Sequence, residues 1–445
     1  MNKKKLYFIS LGCAKNQVDS EIMLYQLQRR GYALTSEPQE AEVVVVNTCS
    51  FIESATQESI ETILEAARLK EEGACRALVV AGCFPQRYKK QLAVQMPEVD
   101  LFIGTEAFLS VAEQVEHLLA GKKTAKTILA PDQRLWHEAR PRLLTTSPGS
   151  AYLKIAEGCS NRCAYCTIPS IRGPFRSREL EVLMQEARML AAEGVRELNL
   201  VAQDITAYGA DLVPSSTLTD LLKSLLTIQS LRWLRLLYMR PERITTDLID
   251  LIKREDRICP YLDIPIQHVS DRILQAMNRP YGQDGLRRLI DRIRTDFPSV
   301  TLRTTVMVGF PGEREEDFEE LVLFVSETEF DHLGVFCYSP EEGTPAAGYA
   351  EAVNPEISQA RLVQIMTLQK EITWKKNQGR IGSVEPVLVT GVSPESELLI
   401  QGRTRYQAPE VDGVVYITDG LPQIGEIVNV KITEAHPYDL VGTAV

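Results

Sequence analysis

Short apolar runs alternate with longer helical patterns over the first hundred residues of the chain. The apolar runs are KLYFISLG, EVVVVNTC and RALVVAGC, and the helical patterns lie around residues 19–31, 50–70 and 85–96. Strands that are apolar at successive positions are buried on both faces, which is typical of a parallel sheet covered by helices. The pattern therefore predicts an N-terminal α/β domain with a parallel sheet over residues 1–120.

The same alternation returns after Ala151 and continues for six strand-like runs. These runs are AYLKIAEG, ELNLVAQD, WLRLLYM, YLDIPIQ, LRTTVMVG and HLGVFCY. Six β/α units favour a partial barrel, because a complete one of this type has eight. A helical segment over 355–379 follows, so the predicted barrel region with its trailing helix is 151–379. Residues 121–150, which include Lys123, carry prolines and glycines with little periodicity and are predicted to be a linker.

After Gly379 the pattern changes to short strands separated by glycine and proline turns. The runs are VEPVLVTG, ELLIQG, GVVYIT and IVNVKIT. They predict a small antiparallel β-barrel over residues 380–445, similar to the oligonucleotide-binding class. The predicted fold class is therefore a multidomain α/β protein: a parallel α/β domain, a partial (β/α)6 barrel and a C-terminal β-barrel.

The composition limits the cellular compartment and the classes of partner that we expect for the protein. The 445 residues contain no apolar run of membrane-spanning length, and the first strand-like segment is too short for a secretory signal, so we expect a cytoplasmic protein without a membrane partner. The net charge of −11 disfavours a protein that lives on a nucleic-acid backbone. Nine cysteines, an odd number in a reducing compartment, favour metal ligands or core residues over disulfides.

Three cysteines lie within eight positions in EGCSNRCAYC, residues 157–166. Cys159, Cys163 and Cys166 have the spacing C-x3-C-x2-C, on a loop after the first barrel strand. Three thiolates on an iron–sulfur cube leave one iron open to a small molecule. A structural zinc with a distant fourth cysteine is the alternative. Because barrels of this kind carry out chemistry at the carboxyl ends of their strands, the position favours a catalytic cluster.

A second set of three cysteines is spread along the N-terminal domain. Cys13, Cys49 and Cys83 each follow one of its first three predicted strands. The carboxyl ends of parallel strands meet at one sheet edge, where open α/β sheets bind ligands. The pattern predicts a second three-cysteine cluster site there. The remaining residues, Cys75, Cys259 and Cys337, lack this placement and are interpreted as structural.

The C-x3-C-x2-C loop and the barrel resemble the radical S-adenosylmethionine superfamily. The resemblance implies a [4Fe-4S] cluster whose open iron binds the amino and carboxylate groups of S-adenosylmethionine, which one-electron reduction cleaves to a 5′-deoxyadenosyl radical. It also implies that Tyr165 lies near the adenine, although packing of Tyr165 beneath the loop is an alternative.

Residues at other barrel strand ends are further candidates for cofactor contacts. Gln203 and Asp204 end the second barrel strand, although Asp204 is equally suited to cap a helix. Gly309 and Gly312, in VGFPGE, permit a close backbone approach to the cofactor or make a turn. His268 follows YLDIPIQ near the barrel mouth, and a structural role is favoured for it.

Two three-cysteine sites, the barrel and a terminal barrel of the TRAM type together resemble the radical methylthiotransferases, in this order along the whole chain. LGCAKNQVDSE, IPSIRGPFRSR, LVAQDITAYG, YLDIPIQHVSD and GRTRYQAPEVDGVVYI are similar to the RimO-type branch. This branch modifies the β-carbon of an aspartate in the twelfth small-subunit ribosomal protein. The alternative MiaB-type branch modifies an adenosine of tRNA and usually reads Gly-Cys-Gln-Met-Asn at the first cysteine.

The resemblance also implies how the two sites share the work. One S-adenosylmethionine at Cys159, Cys163 and Cys166 yields the radical, and a second donates its methyl group to sulfur held at Cys13, Cys49 and Cys83. A radical suits this reaction because an aspartate β-hydrogen is held too strongly for a side-chain base. A flavodoxin or ferredoxin is expected as the reductant, and the protein is expected to be a monomer.

The charge of the terminal segment bears on the substrate independently. Residues 384–445 contain three basic and nine acidic residues, a net charge of −6. Such a barrel repels a phosphate backbone and attracts a basic ribosomal protein, which makes tRNA the less favoured partner. The alternative is an acidic face that is merely solvated. A rival of another class, a non-catalytic RNA-binding protein with structural zinc sites, requires no S-adenosylmethionine.

Overall fold

The computed structural model describes residues 4–122, 125–131 and 137–445, apart from the side chain of Lys90. Lys123 of the predicted linker lies outside the described residues. The chain divides into two compact units. The first unit comprises residues 1–145, 156–161 and 166–186, and the second comprises 146–155, 162–165 and 187–445.

The first unit is built on a six-stranded parallel sheet with the order β2-β1-β3-β4-β5-β6. Its strands are β1 (Lys4–Ser10), β2 (Tyr32–Leu34), β3 (Val43–Thr48), β4 (Ala77–Gly82), β5 (Leu101–Ile103) and β6 (Thr127–Ile128). Its first helices are α1 (Ala14–Arg29), α2 (Glu53–Glu72), α3 (Cys83–Tyr88), α4 (Leu92–Gln95) and α5 (Val111–Leu119). Every residue of β3 and β4 is buried, as the apolar runs predict. The predicted parallel sheet is confirmed, and β6 lies within the segment predicted to be a linker.

The chain then enters the second unit with β7 (Ser150–Lys154) and returns to the first. There β8 (Ala156–Glu157) pairs in antiparallel fashion with β9 (Arg176–Ser177). Two helices accompany this ladder, α6 (Ile168–Arg172) and α7 (Leu180–Ala192), of which α7 belongs to the first unit up to Glu186. Cys159 and Cys166 belong to the first unit, and Cys163 belongs to the second.

The second unit contains a six-stranded parallel sheet with the order β14-β13-β12-β11-β10-β7. Its further strands are β10 (Glu197–Val201), β11 (Trp233–Leu236), β12 (Ile258–Asp263), β13 (Thr301–Val308) and β14 (His332–Cys337). Its helices are α8 (Leu218–Leu225), α9 (Thr246–Arg254), α10 (Asp271–Ala276), α11 (Gln283–Asp296), α12 (Glu315–Thr328) and α13 (Pro355–Gln378). All strand pairs are parallel, and β7 and β14 are the two edges. The predicted partial barrel and trailing helix are confirmed.

The C-terminal part of the second unit is a closed barrel with the order β15-β16-β17-β19-β18. Its strands are β15 (Val384–Ser393), β16 (Ser396–Thr404), β17 (Val415–Asp419), β18 (Ile427–Ala435) and β19 (Leu440–Ala444). The pair β17 and β19 is parallel, so the predicted barrel is antiparallel in every pair but one. Its interior is filled by Val387, Val389, Val415 and Val430.

No described helix is both long enough and apolar enough to cross a membrane. The domain boundaries proposed from the sequence stay a prediction.

Candidate active site

Cys13, Cys49 and Cys83 lie at one edge of the first sheet. Cys13 is the residue before α1, Cys49 follows β3, and Cys83 begins α3 directly after β4. The strands β1, β3 and β4 are neighbours in the sheet, so their carboxyl ends are adjacent. Gly12 has a φ of +92°, and a Cβ there would lie 2.8 Å from the Cβ of Cys49. Only glycine lets the loop that carries Cys13 approach Cys49 this closely.

The three thiols influence one another electrostatically. Burial, together with the neighbouring Cys83 and Cys13, raises the pKa of Cys49 to about 12. Burial also raises the pKa of Cys83, against the opposing effect of Arg172. At Cys13, burial is outweighed by Lys15, Arg172 and backbone N–H groups, so its pKa is lowered. Mutually repelling thiolates require a nearby cation, which a bound metal cluster supplies.

Arg172 is a residue of this site that sequence reasoning missed. It lies at the end of α6 and only 1% of it is exposed. Its Nη2 donates to the Sγ of Cys83 at 3.4 Å, and its Nη1 donates to the Oε2 of Glu157 at 2.9 Å. The available signal was its position six residues after Cys166, in IPSIRGPFRSR. Its burial among acceptors was not visible in the sequence.

The cysteine loop of residues 159–166 is held by local hydrogen bonds. The backbone N–H of Cys159 donates to the carbonyl of Gly173 at 3.0 Å, and Asn161 donates from Nδ2 to the Sγ of Cys159 at 3.3 Å. In the second unit, Arg240 donates from Nη1 to the Sγ of Cys163 at 3.5 Å. Arg240 is another site residue that the sequence did not single out. Donors that already point at the sulfurs are suited to orient thiolate ligands.

Within the described residues, no set of three Cys, His, Asp or Glu side chains is arranged in metal-binding geometry. The assignment of Cys13, Cys49, Cys83, Cys159, Cys163 and Cys166 as ligands therefore rests on their placement and donor chemistry. Thiolates on short loops are the donors that iron–sulfur clusters take. The donor chemistry of these cysteines fits such a group, and their assignment as its ligands stays a prediction.

Tyr165 packs within the second unit. Its ring meets Phe310 edge-on, with centroids 6.5 Å apart, and its hydroxyl accepts a hydrogen bond from Arg279. Ala164, beside it, belongs to the same apolar cluster as Phe310. Packing beneath the loop, the alternative weighed for Tyr165, is present in the structure. Its contact with an adenine stays a prediction.

Gln203 and Asp204 lie directly after β10, as predicted. The side chain of Asp204 is fully buried, accepts from Thr206 at 2.5 Å and pairs with Arg243. Although Asp204 precedes a short 3-10 helix, its side chain makes no cap hydrogen bond, so the capping alternative is wrong. Gln203 is partly exposed, and its contact with a cofactor stays a prediction.

The two glycines of VGFPGE have different surroundings. A Cβ on Gly309 would lie 2.0 Å from the Oγ of Ser358 on α13, so this glycine is required for helix packing. Gly312, with a φ of +80°, lies in a turn that is closed by the N–H of Glu313, which donates to the carbonyl of Phe310 at 2.9 Å. Their cofactor contacts stay predictions. His268 is fully buried, and its Nδ1 accepts from the N–H of Ser270 at 3.0 Å, consistent with a structural role.

Comparison with known families divides the chain into three matched regions. Residues 5–104 match the uncharacterized protein family UPF0004, residues 153–325 match the radical SAM superfamily, and residues 381–445 match the TRAM domain.

Solved structures share the fold of much of the chain. The radical S-adenosylmethionine methyltransferase TsrM from Kitasatospora setae is similar with a TM-score of 0.57 and 14% identity, over 83% of this chain and 89% of that one. The cobalamin-dependent S-adenosylmethionine radical enzyme OxsB is similar with a TM-score of 0.53 and 10% identity, over 83% of this chain and 56% of that one.

Sequence relatives match over nearly the full length. A protein of Geobacter sulfurreducens is 49% identical over 99% of this chain and 98% of its own, and one of Trichlorobacter lovleyi is 50% identical over the same shares. A protein of Acetivibrio thermocellus is 47% identical over 100% of this chain and 99% of its own. All three are named ribosomal protein uS12 methylthiotransferase RimO. The chain therefore belongs to the RimO family of radical SAM methylthiotransferases.

Proposed function

We propose that the protein adds a methylthio group to ribosomal protein uS12, at the β-carbon of an aspartate. The observation that carries the proposal is the gathering of Cys13, Cys49 and Cys83 at one sheet edge, in a chain whose C-x3-C-x2-C loop follows a barrel strand. One three-cysteine site identifies a radical enzyme, whereas a second is suited to hold the sulfur to be transferred. Relatives near 50% identity, named for uS12, favour this substrate over tRNA.

Two [4Fe-4S] clusters and S-adenosylmethionine are the cofactors of this function. Cys13, Cys49 and Cys83 would hold one cluster, and Cys159, Cys163 and Cys166 the other, each leaving an iron without a protein ligand. When bound, these groups supply the radical chemistry that an unactivated C–H bond requires.

The chain's own residues prepare the second site for that chemistry. Arg240 places a guanidinium beside Cys163, where it orients the thiolate and presents a positive charge to an anionic group such as a carboxylate. Phe310 and Ala164 are fully buried next to Tyr165, so the loop rests on an apolar floor. Such a floor limits access of water from beneath, which protects a reactive radical from side reactions.

The acidic C-terminal barrel supports a basic protein as the substrate. Five of its nine acidic residues are exposed: Glu395, Glu397, Glu410, Asp419 and Glu434. Asp412 is different, because it accepts from the hydroxyl of Tyr261 at 2.6 Å and its side chain is buried. We propose that the exposed carboxylates attract the basic surface of a ribosomal protein and disfavour RNA.

The electron donor, the oligomeric state, the location and the domain limits are proposed from the resemblance to the radical methylthiotransferases. We propose a flavodoxin or ferredoxin as the electron donor, a monomeric state and a cytoplasmic location. The domain limits 1–120, 151–379 and 380–445, with a linker at 121–150, belong to this proposal.

Anaerobic turnover with a reductant tests the substrate. The reconstituted enzyme receives S-adenosylmethionine and sulfide with uS12, with uS12 whose aspartate is changed to asparagine, or with tRNA. Mass spectrometry should show a methylthio addition on unmodified uS12 alone. Addition to tRNA but not to uS12 would overturn the proposal.

Iron analysis tests the cofactors. We expect about eight iron atoms per chain after anaerobic reconstitution, and about four when either cysteine set is changed to alanine. Cys337→Ala is the matched control and should retain both clusters. A protein that binds only zinc would support the rival structural-metal reading.

A further inference from the structure

The guanidinium of Arg172 has two differently occupied edges. Its Nη1 donates to the Oδ2 of Asp19 at 3.3 Å and to the Oε2 of Glu157 at 2.9 Å. Its Nη2 donates to the Sγ of Cys83 at 3.4 Å and to the Oδ1 of Asn16 at 3.3 Å. The two carboxylates fix the plane of the guanidinium, so its other edge is held toward the thiol. All of these residues belong to the first unit.

Asn16 extends this contact to the other two cysteine loops. While its Oδ1 accepts from Arg172, its Nδ2 donates to the carbonyl of Leu11 at 2.6 Å and to the carbonyl of Thr48 at 3.2 Å. Leu11 lies two residues before Cys13, and Thr48 directly precedes Cys49. Arg172 is thereby connected to all three cysteine loops, directly at one sulfur and through a single side chain at the other two.

The charge of Arg172 acts in a place that water does not screen. Arg172, Asn16, Asp19 and Glu157 are each at most 2% exposed. A hydrogen bond from a charged donor to a cluster sulfur withdraws electron density from it, and the potential of an iron–sulfur cluster depends on such bonds and on nearby charge. Buried charges act more strongly than exposed ones because the local dielectric is low.

We propose that Arg172 is the positioning residue of the cluster held by Cys13, Cys49 and Cys83, and that its fixed guanidinium raises the reduction potential of that cluster. The inference rests on the proposed function, since it assumes that these cysteines bind a cluster. Arg172 comes from the segment that follows Cys166, so the residues of one cysteine motif shape the environment of the other. Lysine would supply the charge without the planar fork that serves Cys83 and Asn16 together.

Electrochemistry on a single-cluster protein tests the proposal. The full-length chain with Cys159, Cys163 and Cys166 changed to alanine is reconstituted, so that only the first-unit cluster remains. Arg172→Met, Arg172→Lys and Asp19→Asn are added separately, and the midpoint potential and the paramagnetic resonance spectrum of the reduced cluster are recorded. Lys70→Met is the control, because Lys70 is a partly buried cation of the same unit that pairs with Asp100 at 2.8 Å.

We expect the midpoint potential to shift to more negative values in Arg172→Met, and by less in Arg172→Lys. Asp19→Asn removes a negative charge while keeping an acceptor for Arg172, so it should shift the potential the opposite way. Lys70→Met should leave the potential and the spectrum unchanged. If Arg172→Met fails to assemble a cluster, the potential of Asp19→Asn tests the proposal instead. A shift to more positive values would support it, and an unchanged potential would contradict it.

The experiment distinguishes failure of the role proposed for Arg172 from failure of the proposed function. A cluster whose potential is the same in all three variants would overturn the role of Arg172 and leave the proposed function intact. A background chain that binds no iron would instead overturn the assignment of Cys13, Cys49 and Cys83, and with it the proposed function.

Discussion

Gly309 lies where strand β13 ends and the long helix α13 passes over it. Its φ of +74° is in the left-handed region, and a Cβ would lie 2.0 Å from the Oγ and 2.7 Å from the Cβ of Ser358. Both the backbone and the space therefore require glycine. The sequence motif predicted either a close backbone approach to a cofactor or a turn at this glycine, and neither predicts the contact with Ser358.

Changing Gly309 to alanine should lower the free energy of unfolding by about 2 kcal/mol or more, since a left-handed alanine and a steric clash are combined. Anaerobic denaturant unfolding measures this. Gly285→Ala, on α11 with no atom near its Cβ, should change stability by less than about 1 kcal/mol in either direction. Adding Ser358→Gly should recover part of the loss, and equal effects of the two alanines would contradict the packing argument.

The buried ring of His268 makes stability depend on pH in the mildly acidic range. Burial lowers its pKa to about 3, helped by Arg272 and Arg361 and opposed by Asp317. An unfolded histidine binds a proton below about pH 6.5, whereas the folded one does so only near its lowered pKa. Between these values the unfolded state binds more protons, so stability falls as the pH falls, by ~1.4 kcal/mol per pH unit.

The variant His268→Gln should therefore lose stability less steeply than the wild type on acidification from about pH 6.5 to about pH 4. Anaerobic denaturant unfolding at several pH values gives the two slopes. Above about pH 7 the slopes should coincide, because the ring is neutral in both states. Parallel profiles down to the acid limit would show that His268 does not carry this dependence.

At the scale of elements, a buried ion cluster joins the second sheet to the C-terminal barrel. Glu197 of β10 accepts from Arg403 of β16 at 2.6 Å and lies 2.9 Å from Arg235 of β11. Arg235 also donates from Nη1 to the carbonyl of Arg405 at 2.9 Å. Burial of Glu197 is outweighed by Arg403 and Arg235, so its pKa is lowered to about 2. Its contribution to stability is present above about pH 4.5 and is lost toward its folded pKa.

Glu197→Gln should destabilise the second unit by about 3–5 kcal/mol, because it leaves two buried arginines without their carboxylate. Glu426→Gln is the matched control: Glu426 is half-exposed and lies 3.3 Å from Arg196, so the loss of this pair should cost less than about 1 kcal/mol. Anaerobic thermal unfolding, together with limited proteolysis between α13 and β15, measures the loss of stability in each variant. Similar losses in the two variants would show that burial does not set the cost.

At the scale of the whole molecule, the negative charge is unevenly distributed along the chain. The chain has a net charge of −11, of which residues 384–445 contribute −6. Glu395, in the turn between β15 and β16, and Glu397, near the start of β16, are both exposed. A basic substrate is attracted by the local field of such a group, which salt screens over roughly 10 Å.

The double change Glu395→Lys and Glu397→Lys should raise the KM for uS12 about tenfold at low salt while kcat changes little. The effect should shrink as salt is added. Glu71→Lys with Glu72→Lys, on exposed positions of α2, alters the net charge equally and should leave KM near the wild-type value. An equal rise in both double variants would assign the effect to net charge rather than to the barrel.

Sequence patterns predicted the long, buried strands and the long helix α13 closely, because many consecutive positions report on them. They missed β2, β5, β6 and β19, which have two to five residues. A strand this short shows no periodicity, and its neighbours in the sheet determine its pairing. The parallel pair of β17 and β19 likewise follows from barrel closure.

The sequence by itself determined the cysteine pattern, the order of the three folds and the family, because spacing and strand order are linear properties. Only the tertiary structure decided that Arg172 reaches Cys83 and, through Asn16, the other two loops. The tertiary structure also decided that Asp204 pairs with Arg243 and that Gly309 leaves room for helix α13. These are contacts between residues far apart in the chain, which a linear pattern does not report. The burial of Arg172 could not be predicted either, because arginine side chains are mostly exposed.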